Sequence, residues 1–262
     1  MLHPSAAILD WYLDAGVDES IEAEPQPRGR WNTAKPEAPK PTLVADNPPP
    51  AQTVAAAAPR GQAEALSEAR RLADAAKTLA ELKEAVHAFT GCSLKKTATN
   101  TVFADGNPDS RIMLIGEAPG AEEDKKGIPF CGASGKLLDS MLGHIGLTRA
   151  EGFYITNTIF WRPPGNRQPT PEEIELCRPF VEKHVALVNP RVLLLVGGTA
   201  TKAMLGESRG ITKLRGQIFD YSNPLLEGQI PTHVIYHPSF LLRQPLAKRQ
   251  AWHDLLQLKK SL

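Results

Sequence analysis

Apolar positions in the second half of the chain gather into four short runs, each cut off by a polar or glycine-rich motif. Ile112–Ile115 runs into Gly116-Glu117-Ala118-Pro119-Gly120, and Phe153–Thr156 into Asn157. Val192–Val196 is followed by Gly197-Gly198-Thr199, and His233–Tyr236 by His237-Pro238-Ser239. Runs this short and this rich in Ile, Val and Leu predict strands buried on both faces of a parallel sheet. Helical patterning follows the strands, over Ser134–Ile145, Pro171–Val188 with a break expected at Pro179, Ala200–Leu205 and Pro245–Leu258. The alternation predicts an α/β fold: a three-layer α/β/α sandwich around a central four-stranded, mainly parallel sheet. Residues near Gly216–Tyr221 suggest an extra strand before the last buried one. Ligands bind such sheets beyond the carboxyl ends of the strands. Glu117, Asn157, Gly197 and His237 are therefore expected on one rim, which points to an enzyme.

Ahead of this region the pattern changes twice. Residues 1–23 read as a short helical segment, with apolar side chains at helical spacing over 5–15 behind Ser5. Residues 24–61 are loaded with proline and alanine, cannot bury a core, and read as an extended disordered linker. A globular domain is expected over 62–262, opening with one amphipathic helix over Gln62–Phe89 that carries Leu66, Leu72, Leu79, Leu82 and Val86. The net charge of +1 over 262 residues says nothing about partners, so a nucleic-acid site would have to be a local patch. Three scattered cysteines argue against a disulfide framework and for a reducing compartment. No run is long enough to span a membrane, and the first residues lack the basic start and apolar stretch of a secretory signal. A cytoplasmic protein is the expectation.

Four carboxylates, Glu117, Glu122, Glu123 and Asp124, crowd the first strand exit within eight residues. Three readings stand: a phosphate-cradling loop, a site for a hard cation, and a loop that positions a water. The first is weakened by the missing Gly-Lys-Ser/Thr and by acids that would repel phosphate. Phe130, within Gly127-Ile128-Pro129-Phe130-Cys131-Gly132, can offer a flat face to a base, or can be a core residue under the next helix. His237 at a strand exit can stabilise an oxygen anion, although an isolated histidine is more often structural. Leu241-Leu242 beside Arg243 resembles an apolar wedge for a duplex with a cation for phosphate, extended by Lys248 and Arg249; the plain alternative is an ordinary helix start. Gly197-Gly198-Thr199 can hold a phosphate on backbone N–H groups or simply turn the chain.

Taken together these motifs resemble family 4 of the uracil-DNA glycosylases. The resemblance rests on Gly116-Glu117-Ala118-Pro119-Gly120, Glu123-Asp124, Pro129-Phe130, Gly132 and Gly135. It continues through Asn157, Arg162-Pro163-Pro164-Gly165-Asn166-Arg167, and His237-Pro238-Ser239 with Arg243, and covers about two-thirds of the chain. It implies a monofunctional glycosylase that hydrolyses the bond between uracil and deoxyribose and so initiates base excision repair. Phe130 would stack on a flipped-out uracil and Asn157 would read its Watson–Crick edge, with Ala118 at the pocket. Glu117 would contribute backbone or side-chain contacts at the pocket, Glu123 would lie near the attacking water and His237 would stabilise the uracil anion, the three forming the implied catalytic set. Gly197, Gly198, Ser239, Leu241, Leu242 and Arg243 would contact DNA. The implied partner is uracil-containing DNA, met by a monomer and without a membrane, and a protein partner for the N-terminal helix is left open.

The resemblance also implies a 4Fe-4S cluster on four cysteines. Cys92 and Cys177 occupy two of those positions, but Phe89 and Trp161 stand at the others, and Cys131 lies in the pocket segment. Two thiolates cannot supply four ligands, so no metal and no cofactor are expected, with packing of the two rings in the cluster's place. The alternatives to an active uracil glycosylase are a weak relative that binds DNA damage or a replication partner, and a glycosylase for another deaminated base.

Overall fold

The computed structural model describes residues 60–262; the helical segment expected in 1–23 and all but the end of the 24–61 linker lie outside the described residues. One sheet is built from β1 (Asp105–Gly106), β2 (Ile112–Gly116), β3 (Tyr154–Asn157), β4 (Val192–Val196), β5 (Ile218–Tyr221) and β6 (Ile230–Ile235). Its order is β1-β3-β2-β4-β6-β5. The inner four strands run parallel, and β1 and β5 flank them antiparallel. The expected four-stranded sheet is thus the parallel centre of a six-stranded one. β5 is the extra strand suggested near Gly216–Tyr221, while β1 is too short to carry a pattern.

Period-two alternation sends apolar side chains to both faces. Met113, Ile115, Leu193, Leu195 and Val234 enter one core; Leu114, Ile155, Leu194, Val196 and Ile235 enter the other. Helices α1 (Arg60–Ala75) and α2 (Leu79–Ala88) cover the first face. Short α3 (Ala121–Lys126) follows β2, and α4 (Ala133–Gly143) packs Leu138 and Leu142 on the second face. Long α5 (Pro171–Val188) returns to the first face beside α1 and α2. Then come α6 (Gly198–Leu205), α7 (Ile211–Leu214), α8 (Pro238–Arg243) and α9 (Lys248–Lys260), the last burying Leu255 and Leu258 on the second face. The sandwich has the three expected layers.

Two helices depart from expectation. The single helix over 62–89 is two, because Thr78 starts a new one: its hydroxyl accepts from the Glu81 N–H at 3.2 Å. Thr78-x-x-Glu81 has capping-box spacing, a start signal hidden inside continuous apolar periodicity. Conversely, Pro179 does not break α5. Leu176, Cys177, Phe180, Val181 and His184 are all buried along it, and that burial offsets the roughly 3 kcal/mol cost of an internal proline. No described helix is long and apolar enough to cross a membrane.

Candidate active site

Strand register gathers the four exits. Gly116 pairs with Asn157, Ile115 with Leu195, and Val196 with Ile235, so the motifs after β2, β3, β4 and β6 emerge at one edge. They border a cleft of about 1140 Å³ whose walls include Glu117, Ala118, Phe130, Gly197, Gly198 and His237. Asn157 ends β3 beside this wall but is only 1% exposed.

Gly116 links the ring and the amide. A side-chain carbon added there would lie 2.3 Å from the Phe130 ring and 2.5 Å from Asn157 Oδ1. Ring and carboxamide therefore share the space that a larger residue would fill. Among the described residues neither Oδ1 nor Nδ2 of Asn157 has a hydrogen-bond partner, although both are buried. An amide left so costs roughly 1–3 kcal/mol per group, which a ligand with matching groups would recover. Phe130 is 6% exposed and packs into the second core while also walling the cleft. Its backbone is left-handed at φ 51°, a conformation costing about 1–2 kcal/mol outside glycine and typical of functional positions.

His237 stands across from this ring, with centroids 5.7 Å apart and planes tilted by 36°. It caps α8: the Ser239 N–H donates to Nδ1 at 3.2 Å, and the Ser239 hydroxyl lies 2.8 Å from the same nitrogen. Nδ1 is thus an acceptor, which leaves the proton on Nε2. Burial, and then the Arg243 guanidinium, push the imidazole pKa down to about 4, against a smaller opposing pull from Glu123. At neutral pH the ring is an uncharged donor. Gly197, at φ 97°, makes room for it: a side-chain carbon there would meet His237 Cβ at 2.9 Å.

The four carboxylates diverge. Glu117 lines the cleft, and among the described residues its carboxylate has no hydrogen-bond or ion-pair partner; its backbone oxygen accepts from the Thr158 hydroxyl at 2.6 Å. Glu123 accepts from the N–H groups of Gly120 at 3.1 Å and Gly132 at 2.9 Å, clipping two loops together. Asp124 is buried and accepts from the N–H groups of Thr99 and Asn100. Glu122 pairs at the surface with Lys126. The described residues contain no group of three or more acidic, histidine or cysteine donors placed to hold a metal ion.

The wedge expectation needs correction. Leu241 is 0% exposed, packed with Tyr236 and Ala251, whereas Leu242 is 45% exposed. Successive residues on a helix point about 100° apart, so α8 cannot present both to one partner. The most exposed large apolar side chain here is Leu246, at 94%, in the turn Pro245–Ala247. Arg243 lines the cleft, as do Lys202 of α6, Arg178 of α5 and Arg209. Among the described residues Arg243 and Lys202 make no ion pair, while Arg178 and Arg209 pair with Glu175 and Glu207. Lys202 carries no signal in the sequence, since a lysine on any helix surface looks the same.

Behind the site, Phe89, Cys92, Trp161 and Cys177 are all buried in the first core. Phe89 lies 5.3 Å from the Phe180 ring and 6.4 Å from that of Trp161, and folds over Gly91. The Trp161 indole N–H donates to the Thr101 hydroxyl at 3.0 Å, and the Lys95 ammonium sits 5.9 Å from its ring centre. A hydrogen bond to Cys92 together with full burial holds the Cys177 thiol well above the usual range.

A family model described as the uracil DNA glycosylase superfamily matches residues 103–256, which span every element from β1 to α8. The chain belongs to that superfamily. Its relatives include the type-4 uracil-DNA glycosylase of Thermotoga maritima, 43% identical over 165 residues, or 62% of this chain and 82% of the relative. That of Archaeoglobus fulgidus is 37% identical over 171 residues, 64% of this chain and 84% of the relative. A type-5 enzyme of Thermus thermophilus matches over less: 37% across 114 residues, 38% of this chain and 52% of its own length.

Proposed function

We infer that the protein is a uracil-DNA glycosylase, a hydrolase that releases uracil from DNA and leaves an abasic site. The observation that carries this reading is the buried, unpartnered carboxamide of Asn157 beside the Phe130 ring. A uracil rotated out of the duplex stacks on Phe130 and satisfies that amide, Oδ1 accepting from N3–H and Nδ2 donating to O4. Cytosine presents the opposite pattern at those two atoms and matches the amide only after it flips. Extrusion costs a few kcal/mol and is easiest for weakened or unpaired bases.

The chemistry then needs little. The C1′–N1 bond breaks with its electron pair going to uracil, a water oxygen bonds to C1′, and the water's proton neutralises the departing base. Charge gathers on uracil O2, where the Nε2–H of His237 donates. One preorganised donor is worth roughly 3 kcal/mol, about a hundredfold in rate. Glu117, with its free carboxylate, orients the water, while Glu123 fixes the loop that carries Glu117. Gly198, Ser239, Arg243 and Lys202 meet the phosphates, and Leu246 enters the gap left by the extruded nucleotide.

The cluster implied by the family resemblance does not fit these residues: two thiols and two aromatic rings are not a four-thiolate donor set. No step depends on it, and the rings take over the packing there. The test is excision from single- and double-stranded oligonucleotides bearing one uracil. The wild-type protein releases uracil, and Asn157→Ala and His237→Ala each lower the rate about a hundredfold. Unchanged rates in both variants overturn this reading.

A further inference from the structure

Arg149 lies in the loop between α4 and β3, outside every motif described above, yet two of its donors reach the backbone that carries Phe130. Nε and Nη2 hold the Asp139 carboxylate of α4, at 2.8 to 3.2 Å. Nη1 donates to Asp105 of β1 at 3.1 Å and to the Pro129 carbonyl at 3.0 Å. Nη2 also donates to the Phe130 carbonyl at 2.9 Å. The five N–H groups of the guanidinium are thereby all engaged. Two of them grip the carbonyls on either side of the Phe130 N–Cα unit, whose backbone is the left-handed one at φ 51°. α4 itself packs closely on the same carbonyl: a side-chain carbon on Gly135 would lie 1.6 Å from Phe130 O.

We propose that Arg149 is a positioning residue for the stacking ring, holding the Pro129–Phe130 peptide in its strained form so that Phe130 faces the extruded base. This rests on reading the cleft as the uracil pocket. A phenylalanine free to relax to φ < 0 would swing its ring away from Gly116 and Asn157. The guanidinium prevents this because its flat fork reaches two carbonyls and two carboxylates at once. Lysine keeps the charge but cannot make that set of bonds. The two acids serve in turn to aim the guanidinium.

The test is a double-mutant cycle on uracil excision with melting temperatures measured in parallel. Arg149→Lys should lower kcat/KM about tenfold or more, since misplacement of a reacting partner by about 1 Å costs up to a hundredfold. In a Phe130→Ala background the same change should alter the rate less than twofold. Asp139→Asn leaves both carbonyl bonds but removes a brace; it should cost about threefold, again only when Phe130 is present. It carries the test if Arg149→Lys fails to fold. Equal losses with and without Phe130 overturn the proposal by assigning Arg149 to general stability. Wild-type rates for Arg149→Lys beside a crippled Phe130→Ala overturn it while sparing the uracil pocket. An unimpaired Phe130→Ala removes both.

Discussion

One methyl group at Gly116 probes the core of the argument. In Gly116→Ala the new carbon meets the Phe130 ring at 2.3 Å and Asn157 Oδ1 at 2.5 Å. Carbon atoms settle at about 3.5–4.0 Å, so the ring must retreat by at least about 1 Å. The amide must move as well. Overpacking of this kind costs about 1–3 kcal/mol of stability. Displacing the groups that hold the base costs more in rate, about a hundredfold, equivalent to roughly 2.7 kcal/mol of barrier. Steady-state excision from a uracil-bearing duplex measures that loss, and thermal unfolding measures the stability change. Binding to undamaged DNA should stay within about twofold, because phosphate contacts are untouched. Gly143→Ala, where nothing lies within 4 Å, is the control and should leave excision unchanged. Wild-type excision by Gly116→Ala would refute the shared placement of ring and amide.

Further predictions concern the histidines, the wedge and the filled core. His184 and His237 are held neutral by burial, at about 3 and about 4 against an ordinary 6.5. The unfolded chain therefore binds protons that the fold refuses. Stability is complete above pH 6.5 and falls as the pH drops towards 4, by on the order of 3 kcal/mol from His237 alone. Urea unfolding at pH 7, 5.5 and 4.5 checks this, and a flat stability profile would contradict it. Leu246→Ala should leave the melting temperature unchanged yet slow excision from duplex more than from single strands. Leu241→Ala should do the reverse, costing about 2–5 kcal/mol of stability, and interchanged outcomes would place the wedge on Leu241. Phe89→Ala should cost about 3–5 kcal/mol by denaturant titration. Near four irons per anaerobically purified wild-type chain would show that the two rings do not replace a cluster.

Much of the parallel sheet was legible from sequence, because a strand buried on both faces must be apolar throughout. The run Val192–Val196 coincides with β4, and that over Ile112–Ile115 with β2 to within one residue. The exits were legible too, since polar and glycine-rich motifs cannot continue such runs. Helix interruptions were less so: Thr78 competes with an unbroken apolar stripe, and Pro179 sits in a helix kept whole by what it buries. Leu241 and Leu242 look alike in sequence, and only the rotation of α8 separates a core residue from an exposed one.

Sequence alone therefore determined which residue types stand at each strand exit and, through the family resemblance they carry, the class of chemistry to expect. Tertiary structure decided which atoms remain free to act. Among the described residues Asn157 and the Glu117 carboxylate lack partners, while Glu123 is tied to two backbone N–H groups and Arg149 is drawn to a loop 19 residues away. Such pairings join groups distant along the chain, and hydrogen bonds at about 3 Å depend on how helices seat against the sheet. Local patterning carries no record of that seating.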